Sequence, residues 1–364
     1  MCSSDLLARL RGQMRLFKCG THVVFVVHPG MPFGPKLMGR IIRPAPIPAD
    51  TLKSARPDHQ YQTMSILARH IRANVRAALD EDIGALSPAL SRERERGTEN
   101  RDAMTSNGDL TAQLIPEHTA AHATVITRET MVLCGTLWFE ECFKTLNPEC
   151  SIVWQLAEGE QAAAGQTLCT IAGRARALLS AERPALNFLQ TLSATATLTR
   201  RFVEATHSTQ AKIMDTRKTL PGLRMAQKYA VRVGGGHNQR IGLFDGVLIK
   251  ENHIAAAGGI SQVMELAFRI TPPHIPIQIE VENMAELDEA LLAGAKLILL
   301  DNFSLEAMHL AVEHAAGRAE LEASGGITLD NVRLVAETGV DRISIGALTK
   351  DIQAIDLSMR VTLP

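Results

Sequence analysis

Between residues 212 and 345 the sequence repeats one unit, a short apolar segment followed by a helical segment. Alternation of strands and helices through short loops favours a parallel sheet covered by helices. The predicted strands are 212–215, 246–249, 275–281, 297–300, 320–323 and 342–345. The predicted helices are 262–268, 284–292, 305–314 and 329–337. Six or seven strands in about 150 residues favour a small α/β barrel over an open doubly wound sheet, and no G-x-G-x-x-G precedes a helix.

Each predicted strand is followed by polar residues or by glycine. These strand-end residues are Thr216, Arg217, Lys218, Lys250, Glu280, Asp301, Ser324, Gly325, Gly326 and Gly346. In a parallel α/β barrel the carboxyl ends of the strands meet at one face, where active sites lie. Six such ends in succession are hard to explain by chance, so we predict one site at that face.

The strand over 275–281 predicts how the polar side chains are oriented. Ile277, Ile279 and Val281 share one face, whereas Gln278 and Glu280 share the other. A period of two places the apolar face under the helices and the polar face inside the barrel. The alternative is a half-exposed strand with solvated acids.

The residue types at the strand ends indicate a multiply anionic ligand and a metal. Four basic residues have no counter-ion within their own motifs: Arg217, Lys218, Arg240 and Lys250. Arginine can bind a carboxylate through two parallel hydrogen bonds. Glycine N–H groups such as those of 324–326 bind phosphate, although a plain turn is the alternative. Glu280 and Asp301 offer the oxygen ligands that Mg²⁺ takes together with substrate phosphate and water.

Composition excludes several classes of protein. The formal net charge of −1 gives no support for binding to nucleic acid or to a membrane surface. The longest apolar run, 23–27, is far shorter than the roughly 18 residues of a membrane span. The six cysteines form no C-x-x-C pair, which is typical of reduced thiols in a cytoplasmic protein.

The amino-terminal part is organised differently from the repeated region. Residues 1–60 carry nine Lys or Arg against three acids, and without a sustained period they predict a disordered extension. A helix over 64–83 and a charged, polar insertion over 85–107 follow. The next segments predict strands at 122–128, 152–156 and 167–171, a helix at 137–146, and a long helix from 174 to 207 that Pro184 could break.

Three motifs carry a family resemblance. D-T-R-K-T-L-P-G-L-R at 215–224, G-G-G-H-N-Q-R-I-G-L at 234–243 and L-I-K-E-N-H at 248–253 closely resemble quinolinate phosphoribosyltransferase, also called nicotinate-nucleotide pyrophosphorylase (carboxylating). I-E-V-E-N, L-I-L-L-D-N-F, A-S-G-G-I and I-S-I-G-A-L-T continue in family order. The likeness runs from about Ile66 to the C-terminus, with 85–107 as an interruption.

The resemblance implies an α/β fold, with an incomplete seven-stranded α/β barrel beside an N-terminal α/β sandwich domain. The sandwich would comprise 61–193 together with the C-terminal segment 348–364, and the barrel 194–347. The implied reaction transfers phosphoribosyl from phosphoribosyl pyrophosphate to quinolinate with Mg²⁺, and gives nicotinate mononucleotide, CO₂ and pyrophosphate. The implied assembly is a homodimer in which Arg183 of one chain completes the pocket of the other.

The resemblance also implies a role for each strand-end residue. The quinolinate carboxylates would be held by Thr216, Arg217 and Arg240. The groups between quinolinate and pyrophosphate would be Lys218 and Lys250. The ribose hydroxyls and the metal would be faced by Glu280 and Asp301, which with the two lysines form the catalytic set. The phosphate end would be bound by Ser324, Gly325, Gly326 and Gly346. Gln239 stands where many members have His, so it keeps a hydrogen-bonding role without a charge.

Two alternatives stay open at this stage. One is a paralogous phosphoribosyltransferase with another acceptor, against which the carboxylate-binding arginines count. The other is an inactive relative that binds phosphoribosyl ligands or only dimerises. Intact charged residues such as Lys218 and Asp301 count against the second alternative, because a site no longer used has no physical reason to keep unpaired charges.

Overall fold

The structure, a computed structural model, describes residues 15–19, 22–26, 57–84 and 108–363. The chain divides into two compact units, residues 1–45 and 46–364. In the first unit β1 (Arg15–Cys19) pairs antiparallel with β2 (His22–Val26).

Two segments singled out in the sequence fall largely outside these ranges. They are the predicted insertion 85–107 and most of the predicted extension 1–60. Both therefore stay predictions, as does the domain boundary at 194.

The second unit begins with the region predicted to form a sandwich. Its helices are α1 (Pro57–Ile83), α2 (Thr136–Leu146) and α3 (Ala175–Ala205), with a 3₁₀ turn at Ala112–Leu114. Its strands are β3 (Ala120–Thr127), β4 (Met131–Val132), β5 (Ser151–Trp154), β6 (Gln161–Ala162) and β7 (Thr167–Arg174). The predicted strands and the predicted helix of this region are confirmed, with shifted boundaries.

Pro184, which the sequence offered as a possible break, does not interrupt the helix, and α3 is continuous through it. Proline removes one intrahelical hydrogen bond at a cost of about 3 kcal/mol. Leu178, Leu186 and Leu189 of the same helix are buried, and each contributes roughly 1.5–3 kcal/mol. Tertiary packing therefore outweighs the local preference for a break.

The second region of this unit alternates strands with helices, as predicted. Its strands are β8 (Lys212–Met214), β9 (Val247–Ile249), β10 (Ile277–Val281), β11 (Leu297–Asp301), β12 (Glu320–Ser324) and β13 (Arg342–Ser344). Its helices are α4 (Arg224–Val233), α5 (Glu251–Ala257), α6 (Ile260–Ile270), α7 (Met284–Leu292), α8 (Leu305–Ala315), α9 (Val332–Glu337) and α10 (Ala347–Lys350). The final strand is β14 (Leu357–Thr362).

The six strands β8 to β13 form one parallel sheet in the order β8-β13-β12-β11-β10-β9. A single parallel bridge between Met214 and His237 lies at the free edge of β8, where a seventh strand of the barrel would stand. The strand order places β8 and β9 at the two edges. The fold is thus an incomplete α/β barrel, and the predicted fold class is confirmed.

A second sheet, ordered β14-β3-β7-β5, belongs to the amino-terminal region and packs against its helices. Its strands pair antiparallel, and Leu357 of β14 lies opposite Thr127 of β3. Because β14 comes after the last barrel strand, the end of the chain returns to the amino-terminal sheet. No helix within the described ranges is both long enough and apolar enough to cross a membrane.

Each region has its own apolar core. Trp138, Phe139 and Phe143 are buried between α2, α3 and the antiparallel sheet. In the barrel, Ile279 and Val281 are buried in the layer that includes residues of the surrounding helices. This is the orientation predicted for β10, because its polar residues then face the interior of the barrel.

Candidate active site

The carboxyl ends of the barrel strands lie at one edge of the parallel sheet. Ile249 lies opposite Ile279, so Lys250 is level with Glu280, and Asp301 lies opposite Ser324. We call this edge the mouth, and its predicted members are Thr216, Arg217, Lys218, Gln239, Arg240, Lys250, Glu280, Asp301, Ser324, Gly325, Gly326 and Gly346. The tertiary structure brings them to one edge from separate places in the sequence.

Lys218 lies against Gly346 in this mouth. A Cβ atom at residue 346 would stand 3.1 Å from Cδ of Lys218 and 3.8 Å from Oγ1 of Thr216. The N–H of Lys218 donates to Oγ1 of Thr216 at 3.0 Å, and its carbonyl accepts from the buried Thr349 hydroxyl at 2.7 Å. The backbone of Lys218 is therefore fixed, while its ammonium group belongs to an exposed residue.

Arg217 and Arg240 lie near enough for the positive charge of Arg217 to affect Arg240, and they lack a full set of counter-ions. Nε of Arg217 is buried and has no hydrogen-bond partner. Burial lowers the pKa of Arg240, the positive charge of Arg217 lowers it further, and Asp245 opposes both effects. A buried, unpartnered donor of this kind is costly. The pair is therefore arranged for an anion, and carboxylates suit the guanidinium geometry.

Lys250 and Glu280 form an ion pair at the neighbouring strand ends. Nζ of Lys250 donates to the two carboxylate oxygens at 2.9 and 2.7 Å. The Glu280 side chain is 10 % exposed and that of Lys250 is 43 % exposed. A cavity of 170 Å³ beside Glu280 is lined by four glutamates together with Ile254 and Ala255. The pair keeps an ammonium group and a carboxylate together at the mouth, within reach of one ligand.

The two carboxylates predicted to hold Mg²⁺ differ in their surroundings. Asp301 accepts one hydrogen bond from the Asn302 amide, at 2.9 Å through Oδ2. Both oxygens of Glu280 accept from Lys250. Asp301 therefore fits a magnesium ligand better than Glu280 does, since Mg²⁺ commonly takes one or two carboxylates with substrate phosphate and water. Within the described ranges no cluster of three or more His, Cys, Asp or Glu is placed to hold a metal ion.

The turn after β12 requires glycine. Gly325 has φ +102°, a region that side chains rarely adopt. A Cβ atom there would stand 2.1 Å from Oδ1 of Asn302, whose own φ is +56°. Two strand ends thus approach so closely that only glycine fits between them. Backbone strain of this kind is concentrated at functional sites.

A buried ion pair that sequence reasoning missed holds the arginine-bearing segment in place. Asp215 is 0 % exposed and Lys228 on α4 is 2 % exposed, and they are paired. Asp215 accepts from the N–H of Gln239 at 2.8 Å and from the Asn238 amide. Lys228 donates to the carbonyl of Gln239 at 2.9 Å. Burial raises the pKa of Asp215 and lowers that of Lys228, while their mutual attraction opposes both shifts.

Helix α4 was not predicted from the sequence, although the spacing of its apolar residues indicates a helix. Ala226 and Ala230 are one turn apart and are both buried, as are Gln227 and Val231. That spacing is typical of an amphipathic helix. The helix places Lys228 under the segment that carries Arg240.

Two predicted residues have surroundings that the sequence did not indicate. The side-chain amide of Gln239 is turned inward and donates to Glu322. Arg183 is exposed on α3, and its charge lowers the pKa of Glu182 against the larger effect of burial, which raises it. Among the described residues no hydrogen bond or ion pair joins Arg183 to the mouth. Its role across a dimer therefore stays a prediction.

The fold and the mouth together define a class of protein, an α/β-barrel enzyme whose strand ends bind a multiply anionic substrate. Residues 109–193 match the family model for the quinolinate phosphoribosyl transferase N-terminal domain, and residues 195–360 match the model for its C-terminal domain. The chain belongs to the quinolinate phosphoribosyltransferase family. The resemblance seen in the sequence motifs is confirmed.

Individual relatives agree with this placement. The chain is 40 % identical over 256 residues to the probable nicotinate-nucleotide pyrophosphorylase [carboxylating] of Bacillus subtilis, covering 70 % of this chain and 89 % of that protein. It is 41 % identical over 259 residues to the Mycobacterium leprae nicotinate-nucleotide pyrophosphorylase [carboxylating], covering 69 % and 90 %. The solved structure of nicotinate-nucleotide pyrophosphorylase from Francisella tularensis superimposes with a TM-score of 0.73 at 41 % identity, covering 81 % of this chain and 97 % of that one.

Proposed function

We propose that this chain transfers the phosphoribosyl group of phosphoribosyl pyrophosphate to quinolinate with loss of CO₂. The products are nicotinate mononucleotide and pyrophosphate, in the de novo biosynthesis of NAD. The observation that carries the proposal is the neighbouring arginines Arg217 and Arg240, of which Arg217 has a buried Nε without a hydrogen-bond partner. A di-acid acceptor supplies the anionic partners that this pair lacks.

The acceptor binds at the edge formed by β8 and the segment beside it. Arg217 and Arg240 hold the quinolinate carboxylates, and the Thr216 hydroxyl adds a hydrogen bond. Fixing two reactants in position can lower the activation free energy of a reaction by on the order of 7–11 kcal/mol. The Asp215–Lys228 pair supplies this rigidity, because it clamps the backbone of Gln239 directly before Arg240.

The phosphoribosyl donor binds across the remaining strand ends. Breaking the bond between ribose and pyrophosphate builds positive charge on the sugar and negative charge on the leaving group. Lys218 and Lys250 stabilise the leaving pyrophosphate, and Glu280 and Asp301 face the ribose. The phosphate end is bound by Ser324, Gly325, Gly326 and Gly346, and the N–H groups of the three glycines are accessible because glycine lacks Cβ.

Asp301, with Glu280 as a second carboxylate, would hold Mg²⁺ alongside the donor. When bound, the metal ion supplies positive charge to the pyrophosphate oxygens. After transfer the ring nitrogen is positively charged. That charge stabilises the electron pair left on the adjacent ring carbon when CO₂ departs, and a proton then replaces the carboxylate.

A coupled assay tests this function. Purified protein is supplied with quinolinate, phosphoribosyl pyrophosphate and Mg²⁺, and nicotinate mononucleotide and CO₂ are measured together. Equal amounts of the two products are expected. Folded protein that forms neither product would overturn the proposal, and turnover with nicotinate or a related acid would then identify a paralogue with another acceptor.

We also propose a homodimer in which Arg183 of each chain completes the pocket of the other. Its exposure on α3 supports a role at an interface. Arg183→Ala and Lys218→Ala are each expected to be nearly inactive, and co-refolding them is expected to restore about a quarter of the wild-type rate, since a two-fold dimer formed at random has one intact site in half of its molecules. Absence of any recovery in a verified heterodimer would contradict site sharing.

The cytoplasm is the compartment that we propose for this reaction. Cys134, Cys142, Cys150 and Cys169 are free and buried. Unpaired thiols are typical of proteins in a reducing compartment.

A further inference from the structure

Beneath the mouth, three polar side chains meet inside the barrel. They are Gln239 from the segment beside β8, Gln278 on β10 and Glu322 on β12. Glu322 is 1 % exposed and Gln278 is 6 % exposed. Glu322 precedes Ser324 by two residues on the same face of β12, so its carboxylate lies one layer below a residue of the mouth.

The hydrogen bonds of this cluster use the NH₂ group of Gln239 completely. Its Nε2 is within hydrogen-bonding distance of both oxygens of Glu322 and lies 3.4 Å from Oε1 of Gln278. Gln278 in turn donates to Oε2 of Glu322 at 3.0 Å. An ionised carboxylate can only accept hydrogen bonds. Both amides must therefore turn their NH₂ groups inward while Glu322 is ionised.

The backbone of Gln239 is fixed independently of this cluster. Its N–H donates to Asp215 and its carbonyl accepts from Lys228. The clamp leaves the side-chain torsions free, and rotation of the terminal amide exchanges the positions of NH₂ and carbonyl oxygen. The orientation of the amide then depends on what Glu322 offers to it.

The orientation of the Gln239 amide affects how well the acceptor di-acid binds. Carboxylates of quinolinate offer only hydrogen-bond acceptors, so an amide carbonyl turned toward them gains nothing and repels them. A protonated Glu322 donates its O–H to the Gln239 carbonyl, and the amide NH₂ then becomes available to the ligand.

Resting on the proposed function, we propose that Glu322 is a positioning residue that sets which end of the Gln239 amide faces the quinolinate carboxylates. The ionised carboxylate holds the NH₂ group inside the barrel, and the protonated carboxylic acid releases it. Binding of the di-acid is thereby coupled to uptake of one proton by Glu322.

The charges around Glu322 are consistent with this coupling. Burial raises the pKa of Glu322, and this effect exceeds the opposing hydrogen bonds from Gln278, Gln239 and Ser344 and the opposing charge of Arg342. The charge of Arg342 on β13 is divided between Glu322 and Glu320 on β12, because Nε of Arg342 donates to Glu320 at 2.7 Å. Gln278 and Gln239 contribute neutral amides. The protonated form is therefore reached at a higher pH than for an ordinary glutamate.

The raised pKa of Glu322 determines how quinolinate binding should change with pH. Quinolinate binds best where Glu322 is protonated, so its dissociation constant should rise as pH increases through the raised pKa of Glu322, approaching about tenfold per pH unit for one linked proton. Stability contributed by this group is likewise present at low pH and lost as pH rises through that pKa. Glu322→Gln, which keeps a neutral side chain, should therefore melt no lower than wild type at neutral pH.

The test measures proton uptake on quinolinate binding by calorimetry, in two buffers of different ionisation enthalpy. Wild type is expected to take up about one proton more than Glu322→Gln above the pKa of Glu322. Glu322→Gln is also expected to bind quinolinate with an affinity that depends less on pH. Glu313→Gln removes an exposed negative charge on α8, outside the barrel interior, and should behave as wild type.

A second variant guards against a folding defect in the first. Gln239→Met should lose both quinolinate affinity and the linked proton, whereas Glu322→Gln should lose only the proton. Wild-type uptake in folded Glu322→Gln or folded Gln239→Met would overturn the positioning role alone. If wild-type protein bound no quinolinate at all, the proposed function would fail together with it.

Discussion

The core of the antiparallel region is buried and made of neutral aromatic rings, whereas the mouth of the barrel is partly exposed and made of charged and polar groups. In the first, the rings of Phe139 and Phe143 lie 4.9 Å apart and those of Phe139 and Trp154 lie 5.3 Å apart. Burial there raises the pKa of the Cys142 thiol to about 12, so the thiol is neutral and unreactive. In the mouth, Arg217 keeps a buried donor without a partner.

The aromatic core serves the stability of the fold, whereas the charges of the mouth serve the binding of a ligand. Neutral rings stabilise the fold through burial and need no ligand. Unpartnered cations destabilise the free protein and are stabilised only when an anion arrives. The region with unpaired positive charge is therefore the one in which we propose that the substrate binds.

Helix α4 joins the two regions through adjacent residues. The Tyr229 ring lies 5.4 Å from that of Trp138 in the aromatic core, whereas Lys228 pairs with Asp215 beneath the mouth. Trp138 also donates to Asn74, whose amide donates to the carbonyl of Gly222 at 3.1 Å. Variants on the two sides of α4 therefore test whether the two regions are supported independently.

The largest effect is expected where both regions meet, at Lys228. Lys228→Met leaves the carboxylate of Asp215 buried without its partner, which should cost about 3–5 kcal/mol of unfolding free energy. It should also raise the KM for quinolinate, because the segment before Arg240 loses its clamp. Urea denaturation and steady-state kinetics measure both. Lys228→Met with Asp215→Asn should recover part of the stability, and a single variant as stable as wild type would contradict a paired role.

A loss of stability of similar size, but without a change in substrate binding, is expected in the aromatic core. Phe139→Ala should lower the unfolding free energy by about 3–5 kcal/mol, since it removes a fully buried ring. The KM values of the remaining folded protein should stay unchanged, because the mouth is supported separately. Phe268→Ala, at a side chain 48 % exposed, is the control and should be nearly neutral. A large shift in KM for Phe139→Ala would show that the two regions are not separable.

Next in size is a loss of turnover without a loss of stability. Lys218→Ala should lower kcat by about 10²–10³-fold, the effect of removing one group that stabilises developing charge. Its melting temperature should match wild type, because the ammonium group belongs to an exposed residue. Lys296→Ala removes a lysine at the opposite end of a barrel strand and should leave turnover intact. Full activity of Lys218→Ala would remove this residue from the catalytic set.

The smallest effect is expected in the turn after β12. Gly325→Ala forces a Cβ atom against Asn302 and should cost about 1–3 kcal/mol of stability, with weaker binding of phosphoribosyl pyrophosphate. Gly326→Ala also has a positive φ but meets nothing within 4 Å. The difference between the two melting temperatures isolates the close approach of the two strand ends. Equal melting temperatures would mean that this approach is not required.

Patterns that are local in sequence were sufficient for much of this fold. The helix predicted over 284–292 matches Met284–Leu292, and the strand predicted over 297–300 differs by one residue from Leu297–Asp301. The polar strand ends were correctly expected at one edge, because parallel strands place their carboxyl ends together. The individual roles of these residues remain predictions.

The remaining features depend on contacts between distant segments, which no local pattern contains. Period and residue type follow from the backbone geometry of each element, so strands, helices and strand-end chemistry can be inferred from the sequence. The clamp of Asp215 by Lys228, the inward turn of the Gln239 amide to Glu322 and the unbroken helix at Pro184 cannot. Each exists only because packing brings separate elements to within a few ångströms, where burial changes the free energy of every polar group.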